Sequence, residues 1–497
     1  MNRPLEARHG VRKQLSVITG QSERTIVLST ILLVSAVSVA LGYLLARCYS
    51  VDVLSSLLLS PPEDCWAAWS TKIGRHCFGD YSMVAAAGLR PNPWAPYPVL
   101  PPHPPVRLPY PAAGMVPHLL FALPAKWLGA QQLGLIGYLL ALTVAVLSPA
   151  VWAARGARGL EAAVVFVALG AAAIPAWAVI DRGNSAGFVV PIALVFLVAL
   201  RRERWGLVAT MVVLAALLKP MFAVLVVALF AARKWRLGGL AIGGIAISNL
   251  AAYLLWPRDF PDTIAQSIHN IFGKGPFQDT VAQQNVSFGK GLLIVPDTIK
   301  LFQTGGKIPG GFLAGPRSLI GYVVLLVVAA SLIALGRRMP PVIAGIVLLA
   351  TAVFFPPKVA FYYLVIVLPI AALVLRDPDG PPGTGIFDRL AAHAGRRRAV
   401  GMCVSLATAL SIAQVALGQP AAAPIPGQPG ANGPTGNRLI VVTTVGWAPI
   451  LWLVTCAVII VSYARRPARR DCDDEGAVRD GSPVAAVTAS AHTSEAK

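Results

Sequence analysis

The chain has 497 residues, 56% of them hydrophobic and only 13% charged, with a formal net charge of +20. A soluble protein carries about 25% charged residues, so three soluble domains, which this length would allow, could not coat their cores. Apolar runs of about 18 residues or more recur instead, which predicts an all-α, polytopic helical membrane protein and excludes disorder, collagen and disulfide scaffolds for most of the chain.

The first run covers 25–46 and follows five basic residues, Arg3, Arg8, Arg12, Lys13 and Arg24. Arg47 and Cys48 come next rather than a small-residue cleavage site, so the run reads as an uncleaved helix behind a cytoplasmic segment 1–24. Later runs are 131–153, 160–179, 186–200, 206–218, 220–232, 237–256, 317–335, 341–354, 359–375, 400–418 and 438–463, about twelve membrane segments in all.

Basic blocks punctuate these runs: Arg201, Arg202 and Arg204; Arg233, Lys234 and Arg236; Arg337 and Arg338; Arg396 to Arg398; Arg465, Arg466, Arg469 and Arg470. Short positive loops stay cytoplasmic. No nucleic-acid motif accompanies them, so no nucleic-acid partner is expected. Basic blocks flank both ends of 206–232, which therefore reads as two short helices meeting at Lys219-Pro220, where proline favours a break. The same logic breaks 341–375 at Pro356-Pro357-Lys358. Each half is too short to cross ~30 Å at about 1.5 Å per residue, so both hairpins are expected to reach an outward-facing cavity inside the protein.

The stretch 110–129 is apolar but broken by Pro111, Pro117 and Pro124, and counting it as a crossing would invert every later block. It reads as a juxtamembrane helix in the outer face. Two large extracytoplasmic loops follow, 47–130 and 257–316, with a smaller Pro/Ala/Gly-rich loop at 419–437 expected to lack fixed secondary structure. Both termini fall in the cytoplasm, and 464–497 reads as a disordered tail. Cys65 and Cys77 share the first loop. A disulfide is permitted in an extracytoplasmic loop; two free thiols are the alternative.

Few acids occupy the outer side. Asp80 stands in Cys-Phe-Gly-Asp-Tyr, just before an apolar stretch. A carboxylate held against an apolar face can serve as a general base, or it can simply pair with Arg75 or Arg90. Arg182, Lys219, Lys358 and Arg258 stand at the outer ends of apolar runs. Ionisable groups inside a membrane are costly and usually functional, and converging cations suit a phosphate. Snorkelling to the interface is the alternative. Amide and hydroxyl groups in Gln283-Gln-Asn-Val-Ser-Phe-Gly289 could bind sugar hydroxyls or make turns, and Tyr362 and Tyr363 close the second hairpin tip. No zinc-ligand spacing appears. The Ala/Gly/Arg-rich, Lys-poor composition looks bacterial.

These pieces, in this order, resemble polyprenyl-phosphate-dependent glycosyltransferases of the GT-C superfamily, and more narrowly glycosyltransferase family 87. The matching motifs are Gly79-Asp80-Tyr81, Tyr110-Pro111-Ala112, Gly183-Asn184, Lys219-Pro220 and Asn285-x-Ser287 with Gly289 or Gly291, spread over roughly 25–375. A histidine found near the last hairpin of many members has no counterpart in Pro357-Lys-Val-Ala-Phe-Tyr-Tyr363.

The resemblance implies a GT-C-like domain over 25–463. Its donor would be a sugar, most often mannose and sometimes arabinofuranose, carried on a polyprenyl phosphate. Its acceptor would be a cell-envelope glycolipid or glycan at the outer face of the plasma membrane. It implies Asp80 as base. Lys219, Arg182, Lys358 and Arg258 would face the donor phosphate, and Tyr81, Tyr110, Asn184, Asn285, Ser287 and Tyr362 the substrates. Some superfamily members use a divalent metal; the shortage of outer acids argues against one here, and no cofactor is expected. The competing reading is a transporter or flippase of a lipid-linked sugar, against which stands the absence of any visible repeat.

Overall fold

The computed structural model describes residues 21–49, 78–96, 107–273, 277–282, 284–306, 308–418, 421–424 and 437–466. Cys65, Cys77, Gln283, most of segment 1–24 and the tail beyond 466 lie outside these residues.

Helix α1 is Glu23–Tyr49, with an acid in its first turn and Arg47 in its last, as the helix dipole favours. Two helices stand on the first loop, α2 (Gly79–Gly88) and α3 (Ala112–Trp127). Next come α4 (Gln131–Ala154) and α5 (Leu160–Phe166), which runs on through a π turn into α6 (Ile174–Arg182). The α5–α6 pair bends by 45°. Pro175 explains the bend, because it has no N–H for the preceding turn and fits only the first turn of α6.

Helices α7 (Ala186–Arg201) and α8 (Trp205–Leu218) lead to a 3-10 turn, Pro220–Val226, and on to α9 (Val227–Ala231) and α10 (Trp235–Tyr253). The second loop folds as four short helices, α11 (Asp262–Phe272), α12 (Phe277–Val281), α13 (Phe288–Leu292) and α14 (Ile294–Gln303). Then follow α15 (Ala314–Leu335), α16 (Pro341–Phe354), a 3-10 turn Phe361–Ile366, α17 (Val367–Leu375), α18 (Ile386–Ala394), α19 (Arg398–Ile412) and α20 (Ala448–Arg465).

Among the described residues four helices are long and apolar enough to cross a membrane: α1, α4, α15 and α20 with the turn before it; the bent α5–α6 pair makes five. The expected twelve segments therefore do not translate into twelve spans. Six further apolar helices measure only 10–17 residues, and about 14 residues at 1.5 Å each reach roughly 21 Å of a ~30 Å core. Neighbouring helices shelter two of them: Val342–Phe354 and Val367–Leu375 are buried throughout.

Both hairpins break where proline was expected to break them. The residue before proline is pushed out of the α region, and Lys219 is extended at φ −144° and ψ 110° before Pro220 opens the 3-10 turn. The C-terminal loop differs from expectation. Ala421–Pro424 pairs antiparallel with Asn437–Ile440, and the chain stays extended through the β-branched Val441–Thr443 before α20 starts. The apolar run 438–463 is thus part strand and part helix.

One end of the bundle gathers charge. Arg24 bonds Glu161 and the Leu375 carbonyl, Arg201 bonds Asp377, Arg202 bonds Asp379, and Arg396 and Arg398 bond Glu23. Arg397 lies over the Tyr463 ring. The starts of α1, α5 and α19 therefore meet the ends of α7, α17 and α20. The two hairpin tips lie at the opposite end.

Close helix contact depends on small residues. A Cβ added to Gly321 on α15 would stand 1.8 Å from the Phe355 carbonyl oxygen, whereas one on Gly239 of α10 meets nothing within 4 Å. Gly321→Ala should cost at least the ~1–3 kcal/mol of a typical overpacking and lower the thermal midpoint of the detergent-solubilised protein, read as its monodisperse peak after heating. Gly239→Ala should not lower it. Equal midpoints would show that α15 and the second hairpin do not pack this closely.

Candidate active site

Asp80 occupies the first turn of α2, where the helix dipole favours a negative charge. Its Oδ1 accepts from Arg182 Nη2 at 3.0 Å and its Oδ2 from Asn184 Nδ2 at 2.8 Å. The expected partner Arg75 lies outside the described residues, and Arg90 donates to the carbonyls of Pro93 and Ala95. The acid is instead held by the end of α6, some hundred residues along the chain. Burial pushes the Asp80 carboxyl up. The Arg182 charge, hydrogen bonds from Arg182 and Asn184, and the more remote Lys219 outweigh burial and leave it below its usual 3.8.

Asn184 is fixed from both sides. Its Oδ1 accepts the Ala186 N–H at 2.9 Å, which caps α7 and turns the amide nitrogen towards Asp80. That nitrogen also lies 3.3 Å from the Tyr110 hydroxyl and 3.2 Å from the Tyr362 hydroxyl. Gly183 makes the turn possible. It sits at φ +61°, and a Cβ there would stand 2.9 Å from Tyr81 Cβ.

Lys219 is 5% exposed at the first hairpin tip. Its Nζ donates to the Tyr110 hydroxyl at 3.0 Å, lies 4.2 Å from the centre of the Tyr110 ring and faces the Tyr363 ring from 5.7 Å. Aromatic faces stabilise a desolvated cation. Burial, then the nearby Asp80 charge, pushes the Tyr110 hydroxyl well above its ordinary range, so it stays protonated. Tyr362 and Tyr363 stack at 5.1 Å on the second tip. The group thus joins α2, the entry to α3, the α6–α7 turn and both hairpin tips.

Of the residues singled out in the sequence, Asp80, Arg182, Asn184, Lys219, Tyr110 and Tyr362 lie together. Arg182 is engaged with Asp80 itself. Tyr81 belongs to the wall, its ring 4.6 Å from that of Tyr138. Lys358 is 60% exposed and pairs with Asp279, and Arg258 is exposed; neither has a hydrogen bond to any member of the group.

Asn285 and Ser287 are bonded to backbone. Asn285 donates to the carbonyls of Thr280 and Pro357 and accepts from the N–H groups of Val359 and Ser287, while Ser287 caps α13 by accepting from Lys290 N–H. Together they clamp the second loop to the second hairpin tip, which an Asn-x-Ser spacing does not reveal.

Two residues that the sequence reading missed support the group from behind. His118 on α3 is fully buried, its Nε2 3.2 Å from the Tyr138 hydroxyl, and that hydroxyl donates to the Gly183 carbonyl at 3.0 Å. A histidine and a tyrosine inside apolar runs were the available signal, since a buried polar side chain needs a partner. Among the described residues no group of three or more His, Cys, Asp or Glu is gathered that could hold a metal ion.

The arrangement offers an ionised, oriented carboxylate beside a buried ammonium, walled by tyrosines. Such a pair can take a proton at one point while steadying an anion at another. No curated protein matches the chain. Residues 115–357 match the family model of glycosyltransferase family 87, a stretch holding Arg182, Asn184, Lys219 and Asn285 but not Asp80, which joins them only through the fold. Over those residues the chain is similar to glycosyltransferase family 87, a likeness that supports a membrane glycosyltransferase.

Proposed function

We propose that the protein transfers a sugar, mannose by preference, from a polyprenyl-phosphate donor to a cell-envelope glycolipid or glycan, inverting the anomeric centre. The carrying observation is the buried Asp80 carboxylate held by Arg182 and Asn184, with Lys219 joined to it through Tyr110 and Asn184. An acceptor hydroxyl would approach the carboxylate beside the Arg182 and Asn184 donors. As that oxygen bonds to the anomeric carbon, the carbon–phosphate oxygen bond breaks and the hydroxyl proton passes to Asp80. Lys219 steadies the charge gathering on the leaving polyprenyl phosphate. Arg182 keeps the base ionised and aimed. The lipid tail lies between helices, so the donor arrives in register. The site faces the extracytoplasmic side of the plasma membrane and both termini are cytoplasmic; the concentration of basic residues at the other end of the bundle supports this orientation.

An acid held below its usual value is a weak base and takes its proton late, once the attacking hydroxyl has become acidic through bond formation. The linkage sign is that of a depressed carboxyl: Asp80 stays charged until pH falls through its lowered value. Transfer rates should therefore show no Asp80 limb between about pH 5 and 8. An acid limb centred near neutrality and lost in Asp80→Glu would assign the base a raised value and sink this account.

Radiolabelled mannose on polyprenyl phosphate, offered to membranes bearing the protein, should label endogenous envelope acceptors. Asp80→Asn should lower that rate by about 10²–10⁴-fold, the worth of a positioned base. Lys219→Met should lower it by about 10²–10³-fold, as loss of a donor to a developing anion does, with Lys219→Arg recovering part. Chromatographic monodispersity of each variant separates lost chemistry from lost folding. Full activity in Asp80→Asn would remove it as the base. Label taken only from the arabinofuranose donor would change the sugar, and label moved across the bilayer without transfer would make the protein a flippase.

A further inference from the structure

Helix α14 presents a row of large apolar side chains to the outside. Leu292 just before it, then Val295, Ile299 and Phe302, are all exposed, Phe302 by 85%. Within α14, the four- and three-residue spacing of Val295, Ile299 and Phe302 puts them on one helical face. The opposite face is pinned. Asp297 is buried there and receives a forked pair of bonds from Arg317, with Nη1 to Oδ2 at 3.0 Å, and a third from Lys290 Nζ at 3.1 Å.

The position of that fork sets the height of the helix. Arg317 lies in the first turn of α15, one of the four helices able to cross a membrane. Its 22 residues give about 33 Å, little more than a ~30 Å hydrocarbon core. The first turn of α15 therefore marks the edge of the hydrocarbon, and α14 is fastened at that edge. Below it on α15, Leu319, Tyr322, Val323 and Leu326 are exposed in the same way, as the outer face of a spanning helix is.

We propose that α14 is a membrane-seated helix, its stripe of Val295, Ile299 and Phe302 resting in the lipid interface beside α15. Lipid suits this face because α14 is fastened to the first turn of a spanning helix, and a helix with one apolar and one polar side settles at the headgroup boundary. The seat has a purpose in the fold. The same loop carries Asn285, which holds the Pro357 carbonyl and the Val359 N–H of the second hairpin tip. Seating α14 therefore fixes the height of Tyr362 and Tyr363 relative to the leaflet.

The test places p-benzoylphenylalanine at position 302 in the full chain, in nanodiscs of native phospholipid, with the same probe at Leu326 as the lipid-facing reference. After irradiation, mass spectrometry should find phospholipid adducts at 302 in yield within about threefold of those at 326. Adducts at 326 with none at 302 would overturn the seat and leave the stripe in water. A polypeptide adduct at 302, whether a second copy or another protein, would overturn it equally by naming a different occupant.

Discussion

A carboxylate and an ammonium buried inside an apolar bundle set the terms for everything around them. Desolvating each costs several kcal/mol, and only close partners offset that. Asp80 has Arg182 and Asn184; Lys219 has the Tyr110 hydroxyl and two aromatic faces. The two charges and their partners come from five places in the chain, so the compensation is also the architecture. The α6–α7 turn must present Asn184, the entry to α3 must present Tyr110, and both hairpins must stop short so that their tips meet the acid rather than the far side of the bilayer.

The support behind the site follows the same logic. Gly183 turns the chain where no Cβ fits beside Tyr81, and its carbonyl is held by Tyr138, which His118 backs in turn. Asn285 performs the equivalent task for the second tip, using only backbone partners. The two tips end up chemically unlike. Lys219 is sealed among tyrosines, whereas Lys358 stands in solvent with Asp279. Proline breaks two similar helices, yet of the two tip lysines only Lys219 joins the group around Asp80.

Much of this was legible in the chain. The break at Lys219-Pro220 follows from proline chemistry, and placing basic blocks on one side brings Asp80, Arg182 and Lys219 to the other. What could not be read was pairing. The Asp80–Arg182 contact bridges two elements far apart in sequence, and Arg90 looks just as suitable from composition. The polar groups of Asn285 and Ser287 suit sugars as well as carbonyls, and only the neighbouring backbone decides between them. The membrane segments are harder to read, because apolar runs report burial of either kind, in lipid or among helices, and α16 and α17 are buried by protein. The extended stretch before α20 was hidden for a related reason, since β-branched apolar residues serve strand and membrane helix alike.

The charged end of the bundle bears on how the molecule is made. Glu23 and Arg24 are buried, yet Arg24 waits for the Leu375 carbonyl, 351 residues later, and Glu23 for Arg398, 375 residues later. Domains form in the order of synthesis. The first helix must therefore enter the bilayer with two ionic groups at its threshold and hold them hydrated until the last quarter of the chain arrives. Biogenesis of this protein is a closing of ends: its first helix is inserted early and locked late, and a ribosome that stops before Arg396 leaves Glu23 without the arginines that hold it.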